Sequence, residues 1–376
     1  MPPCRFAPLA AILVSVAVLF ASNTGPGKEG AGQEPTDKPA SPVSRKITLQ
    51  EDRISLSKAI EALGEKTKLF TRSGLDDDPD LKLNLKEAGY WQALDTIAEA
   101  AGARVNLYGG EGGPVLVKDT NTKKGPRQPL SYHGIFRVAL QRLNAMLDYE
   151  TGTSSYRASF EVAWEPHFLA YFFETRAENL VMHDANGTPV RLPHAGGSWV
   201  PVEGRNAFVV DLMLPALPRA ADRIGLLKGA FAVRGTSRML EFEFDTLDKL
   251  KADANRRSRK ADGVTVSVGE PNFGSRVWKI EVTTALPEGS VDFDSHQLWD
   301  IGNQIYLRHR DGKTRLRRSG YTRNRSTSHK AVLEYFFEDT PQQKRGDPAD
   351  WRLIYRAPAG FVEVPVPFQF KNVRLP

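Results

Sequence analysis

The sequence predicts an α+β module of βαββαβ type followed by a mostly-β region built as two tandem sandwiches. Three observations predict this. A strand–helix phrase occurs twice near the front, at ITLQEDRISLSKAIEALGEKTKL (47–69) and LNLKEAGYWQALDTIAEAAG (83–102). From about residue 130 the chain changes to short period-two runs separated by turn residues. Two stretches of that region read as copies. AFVVDLML (207–214) matches AVLEYFFE (331–338), and 226–247 matches 353–373, with Phe242 and Phe244 falling on Phe368 and Phe370.

The 376 residues are 40% hydrophobic and 26% charged, too apolar for a disordered chain and long enough for more than one core. At the front, Arg5 precedes an apolar run from Leu9 to Ala21. That run is short for a bilayer span but has the length of a signal-peptide core. Residues 1–22 are therefore expected to be a signal peptide cut near Ala21 or Ser22, although Leu19 or Phe20 fits the cleavage rule poorly. A retained N-terminal anchor is the alternative. Cys4, the only cysteine, precedes the run, so it is not a lipobox cysteine and the mature chain has no disulfide. That economy fits a bacterial periplasm or cell surface. Residues 23–46, rich in Gly, Pro, Lys and Glu, read as a disordered linker.

Within the first phrase Ile47 and Leu49 alternate as in a strand, and Leu56, Ala59, Ile60 and Leu63 then form a helical stripe. In the second, Leu83 and Leu85 alternate, Leu94, Ile97, Ala98 and Ala101 repeat the stripe, and Gly102 closes the helix. Short apolar returns are expected at 69–71, 103–108 and 114–117, giving one module over 47–117. Its pattern, carried by Leu56, Ala59, Ile60, Leu63, Thr67 and Leu69, then Leu83, Leu85, Ala93, Leu94, Asp95 and Ile97, resembles the short N-terminal domain of secretins and TonB-dependent receptors. The resemblance covers about a fifth of the chain. It implies protein–protein contact in the periplasm, for signalling or ring assembly. The chain departs from those families downstream, where nothing reads as an outer-membrane barrel.

A second polar linker spans 118–129. The strand-rich blocks that follow are expected at 130–247 and 262–376, joined by a charged connector at 247–263 that is helical in part. Each block carries a two-residue hairpin signal, Asn186-Gly187 and Asp311-Gly312. About seven short strands per block point to immunoglobulin-like sandwiches. The alternative is one larger β-domain. The Cys-Trp-Cys signature of antibody domains is absent, so the expectation concerns architecture alone.

Motifs for chemistry are missing. None of the seven histidines has metal-ligand spacing, and no G-x-S-x-G elbow or phosphate loop occurs. Asp76, Asp77, Asp78 and Asp80, and likewise Asp292, Asp294 and Asp300, read as solvated acidic turns in preference to calcium sites, since neither spacing matches an EF-hand. No cofactor and no metal are expected.

One segment stands out. RHRDGKTRLRRSGYTRNRSTSHK (308–330) holds nine Lys or Arg and one acid. Its net charge of +8 exceeds the +6 of the whole chain, so the rest sums to −2. With a two-residue turn at Asp311-Gly312, Arg310 faces Lys313, Arg308 faces Arg315 and Tyr306 faces Arg317. Leu307 and Leu316 then pair on the other side. Like charges placed opposite destabilise a sheet by up to ~1 kcal/mol per pair, so salt, neighbouring acids or an anionic ligand must offset them. Arg308, Arg310, Lys313, Arg315, Arg317, Arg318, Arg323 and Arg325 are the candidate ligand-binding residues. A solvated edge hairpin whose charges prevent aggregation is the plainer reading.

The expected function is that of a non-catalytic, exported cell-envelope protein for protein–protein interaction or scaffolding, through 47–117 and the sandwiches. The alternative is a binder of anionic polymer, acidic glycan or lipopolysaccharide phosphate, through 308–330. A second alternative is a hydrolase with an interdomain site. Nucleic acid is not expected, because Tyr321 is the only aromatic residue in the segment.

Overall fold

A computed structural model describes residues 43–108, 113–120, 127–193, 196–202, 205–236, 238–287, 302–340 and 344–376. The expected signal peptide, most of the first linker, and Asp292, Asp294 and Asp300 lie outside them. Among the described residues no helix is long and apolar enough to cross a membrane.

The front runs β1 (Ile47–Ser55), α1 (Leu56–Thr67), β2 (Arg72–Ser73), β3 (Asp80–Ala88), α2 (Tyr90–Ala100), β4 (Ala103–Asn106) and β5 (Val115–Lys118). β1 pairs β3 antiparallel, and β5 joins β2 to β4. The helical stripes make the core: Leu56, Ala59, Leu63, Leu94, Ile97 and Ala98 are buried. Left-handed residues end both helices, Lys68 at φ 62 and Gly102 at φ 63. The first return strand forms at Arg72–Ser73 and not at the apolar 69–71. The turn out of α1 uses Leu69 to fill the core and leaves Phe70 61% exposed. The acidic turn has a structural job. Asp78 accepts from the Ser57 backbone N–H and hydroxyl, both at 2.7 Å, capping α1 from a distant loop. Those bonds hold its carboxyl below the usual range.

In chain order the β-region comprises β6 (Leu130–His133), β7 (Phe136–Leu147), β8 (Ser154–Trp164), β9 (Leu169–Glu174), β10 (Glu178–Asp184), β11 (Pro189–Val190), β12 (Trp199–Pro201), β13 (Ala207–Pro215), β14 (Arg223–Thr236) and β15 (Arg238–Thr246). Helix α3 (Leu247–Ala252) buries Leu247 and Leu250. It leads to β16 (Ser258–Ala261), β17 (Val264–Val268), β18 (Asn272–Phe273), β19 (Val277–Ala285), β20 (Gln304–His309) and β21 (Arg315–Arg317). The chain closes with β22 (Gly320–Ser326), β23 (Lys330–Glu338), β24 (Trp351–Ala359) and β25 (Val362–Arg374).

These strands enclose two cores in a β-sandwich-like arrangement. One lies between the sheet β13-β8-β7-β6 and the sheet centred on β14, which pairs β9, β10 and β25. The other lies between β16-β17-β19-β23-β22 and β15-β24-β20-β21. The halves repeat each other: β23-β19-β17-β16 follows the order of β13-β8-β7-β6, and β24 takes the place of β14. Neither core is made from one continuous stretch. β15 leaves the first half to pair β24, and β25 leaves the second to pair β14 along twelve registered residues. The matched phenylalanines are all buried, Phe242 and Phe244 in one core, Phe368 and Phe370 in the other. The repeat slips by one residue at 207–214, where Phe208, Val210, Leu212 and Leu214 face inward. In the matched stretch the inward set is Ala331, Leu333, Tyr335 and Phe337.

The front module is docked on the outer face of β7 and β8. Trp91 Nε1 donates to the Ile135 carbonyl at 3.0 Å, and Ala163 and Ala207 join the module core. Arg137 on β7 donates to both oxygens of Asp95 on α2, at 2.8 and 3.2 Å, and to Glu161 on β8 at 3.2 Å.

Candidate anion-binding face

In the sheet β15-β24-β20-β21, Leu307, Leu316, Leu353, Tyr355 and Phe242 face the core. Alternation then turns Tyr306, Arg308, Arg315, Arg317, Arg352 and Arg356 outward. Register sets Arg352 beside Arg308 and Arg308 beside Arg315, three guanidinium groups across adjacent strands. Tyr306 lies beside Arg317, as the sequence predicts. The Arg315 guanidinium lies 5.0 Å from the Tyr306 ring centre, a cation–π contact.

Two glutamates on β15 offset part of this charge. Arg308 crosses β24 to reach Glu241 at 3.0 Å and Glu243 at 3.3 Å. Glu243 also holds Arg352 at 3.0 Å, and Glu241 meets Arg356 at 3.6 Å. Among the described residues, five arginines against two glutamates leave the face at +3. The residual charge is graded. The paired arginines, three on two glutamates, lie toward β15, while Arg315 and Arg317 on the edge strand β21 are exposed with no carboxylate partner among the described residues.

The hairpin differs from a two-residue turn. His309 N donates to the Thr314 carbonyl at 2.9 Å, so the loop is Arg310–Lys313, and Arg310 does not face Lys313 in a ladder. The Asp311 side chain decides this by accepting from Lys313 N and Thr314 N, each at 2.8 Å, and from the Thr314 hydroxyl at 2.6 Å. Those bonds hold its carboxyl well below the ordinary aspartate range. Arg310 is drawn to Asp350 at 3.1 Å. The Asn186-Gly187 turn is also longer than two residues, with three between the bonded pair Asp184 and Thr188 and Gly187 at φ 86.

The eight candidates do not share one ridge. Arg308, Arg315 and Arg317 lie on the face; Arg310 and Lys313 lie in its loop. Arg318 turns the corner, 4.5 Å from the Tyr321 ring centre. Arg323 and Arg325 belong to β22, in the opposite sheet of the same sandwich. Sequence reasoning missed Arg352, Arg356, Glu241 and Glu243. The alternation of WRLIYR (351–356) shows Arg352 and Arg356 on one face, but nothing local tells which strands flank it.

A second polar cluster borders a cleft of ≈ 1210 Å³ between the module and the first sheet. Asp95, Arg137, Glu161, Tyr132 and Gln141 all line it. Tyr132 donates to Asp95 at 2.8 Å and Gln141 to Glu161 at 2.8 Å. Burial pushes Glu161 upward, with Arg137 opposing. Every carboxylate oxygen here already accepts a bond, so the cluster works as a strut. Among the described residues, no group of three His, Cys, Asp or Glu is placed to hold a metal ion. Compared with known proteins, the chain matches no family model, no curated protein and no solved structure.

Proposed function

We propose that this protein is a non-catalytic, exported binding protein of a bacterial cell envelope, and that it holds an anionic polymer against the outer face of β24, β20 and β21. The observation that carries this reading is the in-register row Arg352, Arg308 and Arg315, with Arg317 beside it and, among the described residues, two glutamates paired to the face. Strands lie ~4.8 Å apart, so an acidic glycan or a run of lipopolysaccharide phosphates laid across them meets a guanidinium at each step. Arginine's planar donors suit both carboxylate and phosphate. The N-terminal apolar run and the lack of cysteine after Cys4 support the location.

The front module supports a second contact, with an envelope protein. Its order of β1, α1, β2, β3, α2, β4 and β5, with the periodic residues buried, agrees with the resemblance to secretin and receptor N-terminal domains.

The polymer reading is tested on a heparin column. Replacing Arg315, Arg317 and Arg352 together by Ser lowers the eluting salt clearly, whereas Arg323→Ser with Arg325→Ser changes it less. Equal elution of wild type and the triple variant overturns the reading.

A further inference from the structure

An edge strand exposes a row of unpaired backbone groups, and proteins blunt such edges with shortness, charge, proline or bulges. Most edges here follow that rule. β6, β11, β12, β16 and β21 have four residues or fewer. β15 and β22 carry arginine or glutamate and a register shift. β25 carries Pro365 and Pro367, and β1 is shifted twice against β3. β13 is the exception among the described strands. It pairs β8 through nine consecutive residues without a shift, and AFVVDLMLP has no lysine, no arginine and proline only at its end. Val209 and Met213 are 43% and 47% exposed on its outward side. Its single charge, Asp211, is already held by Arg157 at 2.9 Å and by the Ser159 hydroxyl at 2.5 Å.

The internal repeat supplies an independent observation. β23 occupies in the second half the place that β13 occupies in the first, and its outer edge is covered by β22, antiparallel. No described strand pairs the corresponding edge of β13. The fold therefore accommodates an antiparallel strand at this position, and among the described residues one half lacks it.

We infer that the edge of β13 pairs antiparallel with β13 of a second copy across a two-fold axis, joining two four-stranded sheets into one of eight. The strand favours its own copy because its pattern reads alike in both directions about Asp211. Centring the axis there sets Val209 opposite Met213, Val210 opposite Leu212 and Phe208 opposite Leu214, apolar against apolar. The two Asp211 carboxylates then meet, each neutralised by its own Arg157. Such a dimer presents two arginine faces to one polymer, so avidity strengthens retention without new contacts.

Sedimentation equilibrium of the full chain tests the pairing. Wild type gives twice the chain mass, and Val209→Lys with Met213→Lys gives the monomer with unchanged circular dichroism. A monomeric wild type across the micromolar range, or a lysine variant that remains a dimer, overturns the inference. A second measurement reads the register. In a Cys4→Ser chain, Asp211→Cys forms an intermolecular disulfide, because facing Cα atoms ~4.5–5.5 Å apart permit one. Val209→Cys, facing Met213, does not. A dimer in which Asp211→Cys fails to link has its contact elsewhere and also overturns the proposal.

Discussion

Arg137 ties the front module to the first sheet. Its side chain is 5% exposed and sits between Asp95 and Glu161, themselves at 12% and 8%. Removing one member of a buried ion network leaves the others charged and unpaired, at a cost of ~3–5 kcal/mol. Arg137→Met is expected to lose about that much in urea denaturation. Replacing Asp95, Arg137 and Glu161 together by apolar residues costs less, since no charge is stranded. Glu165 offers a pH-dependent counterpart. It is 1% exposed, accepts from the Ser44 hydroxyl at 2.5 Å, and burial pushes its carboxyl up to about 7. A raised carboxyl binds its proton more tightly in the folded chain than in the unfolded one. Its contribution therefore falls as pH rises from the ordinary glutamate value to about 7, and the cost is complete above that. Glu165→Gln is expected to raise Tm relative to wild type by an amount that grows across this window, with each kcal/mol worth roughly 1–2 °C in a cooperative unit of this size. A constant difference from pH 4 to pH 8 contradicts the assignment. Sequence alone shows neither residue as special, because both owe their state to partners far along the chain.

At the scale of elements, periodicity was the most legible signal. The stripes through Leu56, Ala59 and Leu63 and through Leu94 and Ile97 form helices, since a single buried face satisfies them locally. Turn geometry was less legible. Asp311-Gly312 and Asn186-Gly187 both read as two-residue hairpins, but the side chains of Asp311 and Asp184 take up backbone N–H groups and lengthen the loops. Strand partnership was not legible. β21 ends at Arg317 and β22 begins at Gly320 in another sheet, so a charge run continuous in sequence divides between two faces. The destination of β25 has a measurable consequence. Phe368 packs with Phe160 and Phe231, at ring-centre distances of 5.2 and 5.0 Å, in the core of the first half. Phe368→Ala is expected to cost ~3–5 kcal/mol, and hydrogen exchange rises first in β8 and β14. Faster exchange confined to β24 contradicts that placement.

For the whole molecule, the exchange of β15 and β25 makes the two halves interdependent. A cut in the connector near residue 256 separates each of these strands from the sheet it completes. Expressed alone, neither half is expected to unfold cooperatively, and mixing the two restores a single folded species; cooperative unfolding of either half by itself contradicts this. The same exchange builds the proposed binding face, since Glu241 and Glu243 come from the first half and all five arginines from the second. Hydrogen exchange of the full chain with and without heparin tests that face most directly. The account predicts slowed exchange in 304–317 and 351–359, little change in 320–326, and loss of the effect when Arg315, Arg317 and Arg352 become Ser. Protection confined to 320–326, or none anywhere, contradicts it.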